Sequence, residues 1–388
     1  MLTSLLLLFL PEIALSTDKL TSTAAWTVDL NSIRDVEYPG PADLDTRSSV
    51  TFIDNKQIAV GVVVNLRVNG RWPEIDQQKL CVLLFTIDAD TGKILHRRVW
   101  SDFQGRPATE RGLAMRPVNS HELLVIVGDE LLRLSSNLGT LSRRPLAPES
   151  EGRNGQMHYD NWDIVTSPKG DSAVLLHRNV EVSGNFHRIS TKDLTDETVV
   201  TPGPGYVSSG PAFVNETILF NQWQPNVHSG NTFRSMRTGE TEPLCLKYPR
   251  TRVLGAFGNG LVVLGLRPAA SFAIVDLRCN VLYKKHHGHG SDSIDYVSTS
   301  SEINRFAFTY GGLRSSLIKG WHETNHIVVV DADARGELLN IGVSDYGAAI
   351  GGWHVLVGGA LKPALSPDGR SLAVLRGSIL QLVTIPHK

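Results

Sequence analysis

Apolar residues in this chain come in short runs rich in Val, Ile, Leu and Phe, each bounded by Gly, Asn, Asp or Pro. Such runs, with β-branched content and turn residues at both ends, predict strands. No long window carries apolar residues at a 3.6-residue period, and 35 Gly with 19 Pro interrupt the sequence as many tight turns require. The pattern predicts an all-β chain.

The runs repeat. Phe85-Thr86-Ile87-Asp88-Ala89-Asp90-Thr91-Gly92-Lys93-Ile94-Leu95 returns as Val328-Val329-Val330-Asp331-Ala332-Asp333-Ala334-Arg335-Gly336-Glu337-Leu338-Leu339, in each case a strand, a polar turn and a second strand. Strands fall into groups of four, clearest at Gly112–Arg116, Glu122–Val127, Leu131–Leu134 and Thr140–Arg144. Second strands begin near Ile58, Glu122, Ser172, Thr217, Leu261, Arg305 and Ser371, about 52 residues apart, which is close to propeller periods. The last group stops one strand short, and Ala24–Leu30 is a strand with no group of its own. The expected fold is therefore a single β-propeller of seven four-stranded blades over residues 17–388, the N-terminal strand completing the last blade.

Ser366-Pro367-Asp368-Gly369-Arg370-Ser371-Leu372-Ala373-Val374, echoed at Ser167–Val174, resembles the WD40-like repeats of TolB-type bacterial propellers. Asp88-Ala89-Asp90-Thr91-Gly92-Lys93 is similar to the strand-turn-strand element of quinoprotein-like and surface-layer (YVTN) propellers. These resemblances imply the fold. Propellers of these kinds serve as interaction platforms, ligand-binding discs and, less often, enzymes, so the fold alone does not select a function.

Charge and cysteine content narrow the field. A net charge of -1 from 38 basic and 39 acidic residues provides no basic surface for a polyanion, which argues against nucleic acid. Leu5–Leu10, followed by Pro11 with Ala14 and Ser16 beyond it, resembles a secretory leader over residues 1–16, although no Lys or Arg precedes it. It points to a periplasmic or secreted protein, and no later stretch has the roughly 20 apolar residues of a membrane helix. Three cysteines are too few to staple the chain throughout. Cys81 reads as a small buried hydrophobe; Cys245 and Cys279 stand open between a bridge across adjacent sheets and two free thiols.

In a propeller meander, turns joining first to second and third to fourth strands open on one face, and the remaining connections open on the other. The first set is short, and the second holds the insertions at residues 65–78, 149–161, 222–231, 311–325 and 344–360. Long connections on a rigid scaffold are where function concentrates. This face gathers Arg71, Trp72, His158, Trp162, Trp223, His228, Arg314, Trp321, His322, Trp353 and His354, residue types that anchor partners through wide, rigid contact areas. His286, His287 and His289, with Asp292 and Asp295 after them, are candidate ligands for a transition metal. Asp88–Gly92 begins like a calcium loop, but Val99 stands where an EF-hand needs a bidentate Glu.

No nucleophile elbow, Walker loop, His-Glu-x-x-His pair or dinucleotide fingerprint occurs. The sequence is thus read as an exported, non-catalytic, monomeric propeller that binds a protein or cell-envelope polymer through its long-loop face and calls for no cofactor. The alternative is a hydrolase, lyase or lactonase with a divalent metal in the central channel, drawing on His158, Asp160, His228 and His287.

Overall fold

The computed structural model describes residues 20, 23–30, 43–44, 48–66, 79–103, 113–119, 121–128, 130–146, 162–177, 186–200, 206–214, 217–224, 232–237, 251–266, 270–287, 293–316, 320–346, 348–350, 353–355, 361–377 and 379–386. Almost all of them lie in antiparallel strands and the turns between them. Among the described residues no helix is long and apolar enough to cross a membrane.

The chain builds a β-propeller from sheets in sequence order. Blade one has Ser49–Phe52 and Asp43–Leu44 on successive stretches of Gln57–Leu66, then Lys79–Asp88 and Ile94–Phe103. Blade two runs Met115–Asn119, Glu122–Val127, Glu130–Ser135 and Thr140–Pro145; blade three runs Trp162–Thr166, Ser172–His177, Phe186–Ser190 and Asp196–Val200. Blade four has Tyr206–Val214, Thr217–Gln224 and Thr232–Arg237, and blade five has Thr251–Ala256, Val262–Leu266, Ala270–Val275 and Val281–His287. Blade six comprises Ser293–Thr299, Arg305–Ser316, Gly320–Asp331 and Gly336–Tyr346, followed by a small hairpin of Ala348–Ile350 and Trp353–Val355. Blade seven has Leu361–Leu365, Ser371–Arg376 and Ile379–Thr384, completed by Ala24–Asp29, which pairs antiparallel with Ile379–Thr384.

The inner strands touch in turn around the ring, from Ser49–Phe52 to Leu361–Leu365 and back to Ser49–Phe52. The expected N-terminal closure is present. The expected propeller of four-stranded blades is present: six sheets carry four or more strands where seven were expected, and blade four carries three among the described residues.

An apolar cluster fills each junction. Phe85 and Ile87 of blade one, for example, meet Ala373, Leu375 and Leu380 of blade seven, and Leu131 of blade two meets Ile164 and Leu175 of blade three. This explains the sequence pattern. Middle strands pack on both faces and read as continuous apolar runs, with Glu122–Val127 buried at all but its first residue. Outer strands pack on one face and alternate, as in Ala24–Asp29.

Turns between third and outer strands share one device, a left-handed residue near the end: Gly92, Leu138, Leu194, Cys279 and Arg335 have φ of 71°, 66°, 64°, 65° and 54°. A side chain at the turn's start stabilises it by accepting backbone N–H groups. Asp88 Oδ1 accepts from Thr91 N at 2.8 Å, and Asp276 Oδ1 accepts from Arg278 N and Asn280 N, each at 2.9 Å. Hydrogen bonds from Thr91 hold the Asp88 carboxyl below the usual carboxylate range, and Asn280 does the same for Asp276. The Asp88 loop is a self-contained turn, as its repetition in the sequence implies.

At three junctions these turns also fasten a blade to the one before it. Arg98, on the outer strand of blade one, donates from Nη1 to the Leu138 carbonyl of blade two at 2.9 Å. Arg144, on the outer strand of blade two, donates from Nη1 to the Leu194 carbonyl of blade three at 3.0 Å. Trp26, on the strand that completes blade seven, donates from Nε1 to the Ala89 carbonyl of blade one at 2.8 Å. The junction of blades four and five adds a different bond: Asn221, fully buried, accepts from Val253 N at 2.6 Å and donates to Val253 O at 3.1 Å, imitating a strand ladder across the gap.

Candidate functional site

The face opposite these turns is where the sequence places its binding residues. Arg71, Trp72, His158, His228 and His289 lie outside the described residues, as does Asp160. Trp223 sits on the second strand of blade four, opposite Tyr206 and Phe233. Trp353 and His354 pair with Ile350 and Ala349 in the hairpin after blade six.

Arg314, Trp321 and His322 lie on the second and third strands of blade six. Its second and third strands have twelve residues each, against five or six for their counterparts in blades two, three, five and seven. Pairing continues without a break to Ser316↔Gly320, setting Arg314 opposite His322 and Ser315 opposite Trp321. His322 also pairs with Tyr346 on the outer strand. The insertion expected as a loop over 311–325 is therefore mostly a paired ribbon. Gly311 and Gly312 read as turn residues in sequence, but they pair with Asn325 and Thr324, because a ladder is made by backbone groups that glycine supplies as well as any residue.

Trp162 occupies a different setting. It opens the inner strand of blade three opposite His177, is half-buried, and packs on the apolar cluster between blades two and three. Its ring centroid stands 6.3 Å from that of His187. Its area is spent on joining blades.

The two described histidines of the 286–289 cluster part company. His286 pairs with Ser271 and His287 with Ala270, and neighbours on a strand project to opposite sides. His286 is exposed, its Nδ1 2.6 Å from Ser271 Oγ. His287 is 6% exposed. It stacks on Phe272 at 5.9 Å between ring centroids and stands 5.5 Å from Phe308 and 5.0 Å from Tyr310. The channel placement proposed for His287 is corrected: it lies on the outermost strand of blade five, buried against blade six.

The pocket holding His287 is charged at one side. Glu337 Oε1 of blade six lies 2.9 Å from His287 Nε2 and 2.7 Å from Lys285 Nζ. Burial holds the His287 pKa below the ordinary histidine value, and the Glu337 carboxylate pulls the other way. The Glu337 carboxylate raises Lys285. His326 stacks on Tyr310 at 4.7 Å and reaches Asn340 at 3.3 Å. A neutral imidazole beside a lysine-bound carboxylate, walled by aromatic rings, joins two blades through polar chemistry. Among the described residues no group of three His, Cys, Asp or Glu is placed to share a metal ion.

Glu337, Lys285, Tyr310 and His326 do not stand out in the sequence reading. One signal marks part of the set: Tyr283, Lys285 and His287 recur at period two on one strand, so they share a side, here the side facing blade six.

Neither a protein-family model nor a curated protein matches the chain. Among solved structures it is similar to the putative TolB from Agrobacterium tumefaciens, with 13% identity, a TM-score of 0.40, and coverage of 75% of this chain and 94% of that one. It is also similar to the WD40 domain of SCAP from fission yeast, with 10% identity, a TM-score of 0.42, and coverage of 93% and 98%. The propeller assignment itself rests on the strand pairing and ring contacts of this chain.

Proposed function

We propose that this propeller is an exported, non-catalytic binding module and that the blade-six ribbon belongs to its contact surface for a protein or cell-envelope partner. The ribbon is the observation that carries the reading. A paired, three-stranded extension costs a chain more order than a loop, and preformed order at a contact surface lowers the entropic cost of binding. Its register sets Arg314 opposite His322, with Trp321 the neighbouring residue on the same strand, all three of types that the sequence marks as anchors. A disulfide-bonded Cys279 supports export, because such bonds persist in oxidising compartments.

Gly311 and Asn325 are paired, so residues 312–324 can be replaced by Asn-Gly, which closes a two-residue hairpin. Capture from a cell-envelope extract, quantified by mass spectrometry for both proteins, should lose a specific partner on shortening while the thermal midpoint of the ring holds. Equal capture by a folded, shortened protein overturns the proposal.

A further inference from the structure

The blade-six ribbon grows out of the pocket that holds His287. Tyr310 and His326 pair with each other on the second and third strands, and His326 pairs with Gly342 on the outer strand. The next pair outward, Gly311 with Asn325, begins the extension. Tyr310 is 8% exposed and lies between two imidazoles, with His326 of its own blade at 4.7 Å and His287 of blade five at 5.0 Å between ring centroids. The root of the ribbon thus rests on blade five through a titratable side chain.

We infer that this pocket is an acid-sensitive latch: with His287 neutral it clamps the root of the ribbon to blade five, and protonation of His287 loosens the clamp and the extension beyond it.

The pocket changes charge as a unit. On its own strand His287 has Lys285 and Tyr283 on the same side and His286 on the other. Blade six presents Tyr310 from its second strand, His326 behind Tyr310 from its third, and Glu337 from its outer strand. The neighbouring strand of blade five, Ala270–Val275, carries no titratable side chain. In neutral solution Lys285 and Glu337, 2.7 Å apart, offset each other. Acid places positive charge on His286, His287 and His326 around one carboxylate among the described side chains. His287 bears this worst, because Phe272, Phe308 and Tyr310 stand where water would solvate the imidazolium. Burial outweighs the pull of Glu337, which Lys285 already engages. A closed pocket that disfavours the imidazolium is itself disfavoured once the imidazolium forms. The latch therefore holds above the ordinary histidine value of 6.5 and gives way as the pH falls below it.

Two packings of the root then set the order of the strands beyond it. Release of a partner in acid rests on the ribbon being the contact surface proposed above; the loss of order does not.

The test is amide hydrogen exchange of the full chain at about pH 7.5 and about pH 5.5, corrected for the intrinsic pH dependence of exchange. Protection of residues 311–316 and 320–325 should fall by about tenfold or more in acid, while Glu122–Val127 of blade two keeps its protection. In His287→Phe, whose ring matches the aromatic wall, ribbon protection should be alike at both pH values. In Glu337→Gln, which removes the carboxylate that favours the imidazolium, the loss should move to lower pH. Unchanged protection in the wild-type chain, a loss that persists in folded His287→Phe, or a loss shared equally by blade two overturns the inference. If His287→Phe does not fold, an unmoved transition in Glu337→Gln overturns it. Partner capture at the two pH values is read separately: a ribbon that loosens in acid without altering capture overturns the contact-surface reading and leaves the latch standing.

Discussion

The junction between blades two and three and the junction between blades five and six are held by opposite kinds of polar chemistry. At the first, Arg144 grips the Asp196 carboxylate with both terminal nitrogens, at 2.9 and 2.8 Å, on a side chain that is 43% exposed. At the second, Lys285, Glu337 and His287 meet beside Phe272, Phe308 and Tyr310, with His287 all but sealed from water. An exposed pair is solvated whether or not it forms, so its loss changes little. A buried polar group has no solvent to return to, so its protonation state becomes part of the packing. The same geometric task is tolerant of substitution in one place and sensitive to pH in the other.

Backbone contact, rather than the ion pair, should dominate the first junction, and the largest expected effect tests this. A Cβ on Gly170 would lie 1.5 Å from the Val118 carbonyl oxygen of blade two, at a φ of +71°. Gly170→Ala should therefore cost about 4 kcal/mol or more in denaturant unfolding, since neither the backbone contact nor the left-handed conformation admits a methyl group. A loss below about 1 kcal/mol would show that the two turns separate freely.

The second expected effect sharpens the contrast at blades five and six. Burial depresses His287 from its ordinary value of 6.5, so the unfolded chain takes up the proton first. The contribution to stability is intact above about pH 6.5 and is lost as the pH falls through the lower, folded value, with a limiting slope of about 1.4 kcal/mol per pH unit. His287→Phe should remove that slope between pH 6.5 and 5 in thermal unfolding. An unchanged profile would mean that His287 is not the group sensing acid.

The smallest effect belongs to the exposed pair. Arg144→Ala should cost less than about 1 kcal/mol at neutral pH, and less again at high salt. The Arg144 hydrogen bond holds the Asp196 carboxyl below its ordinary range. That part of the stability is present above the unfolded carboxylate value near 3.8 and disappears in more acidic solution; the variant should lack it. A loss as large as that for Gly170→Ala would erase the distinction between the junctions.

The ring was more legible in the sequence than its surface. Strand starts at Glu122, Ser172, Thr217, Arg305 and Ser371 stand where the repeats put them, because turn residues and apolar runs are local signals. Ala24–Asp29 closes blade seven as the missing strand required. The ribbon was not legible, since Gly311 and Gly312 carry a turn signal that a neighbouring strand overrides. Nor was the division of His286 from His287: spacing brings two imidazoles together along the chain, while the pleat sends them to opposite sides. Glu337 meets His287 only because blades five and six are neighbours, a relation that no local window contains.

Ala24–Asp29 has one more consequence, in the order of events during synthesis. It emerges from the ribosome well before its partner, Ile379–Thr384, which is made about 350 residues later. Until then the last sheet lacks its edge, and Trp26 has a hydrogen-bond acceptor on blade one but no strand beside it. Joining segments so far apart in sequence carries a loop-closure penalty that local pairing never meets. Closure of the circle thus waits until the last sheet has been made, and its rate sets how long an unclosed ring stays exposed to proteases and to other copies of itself.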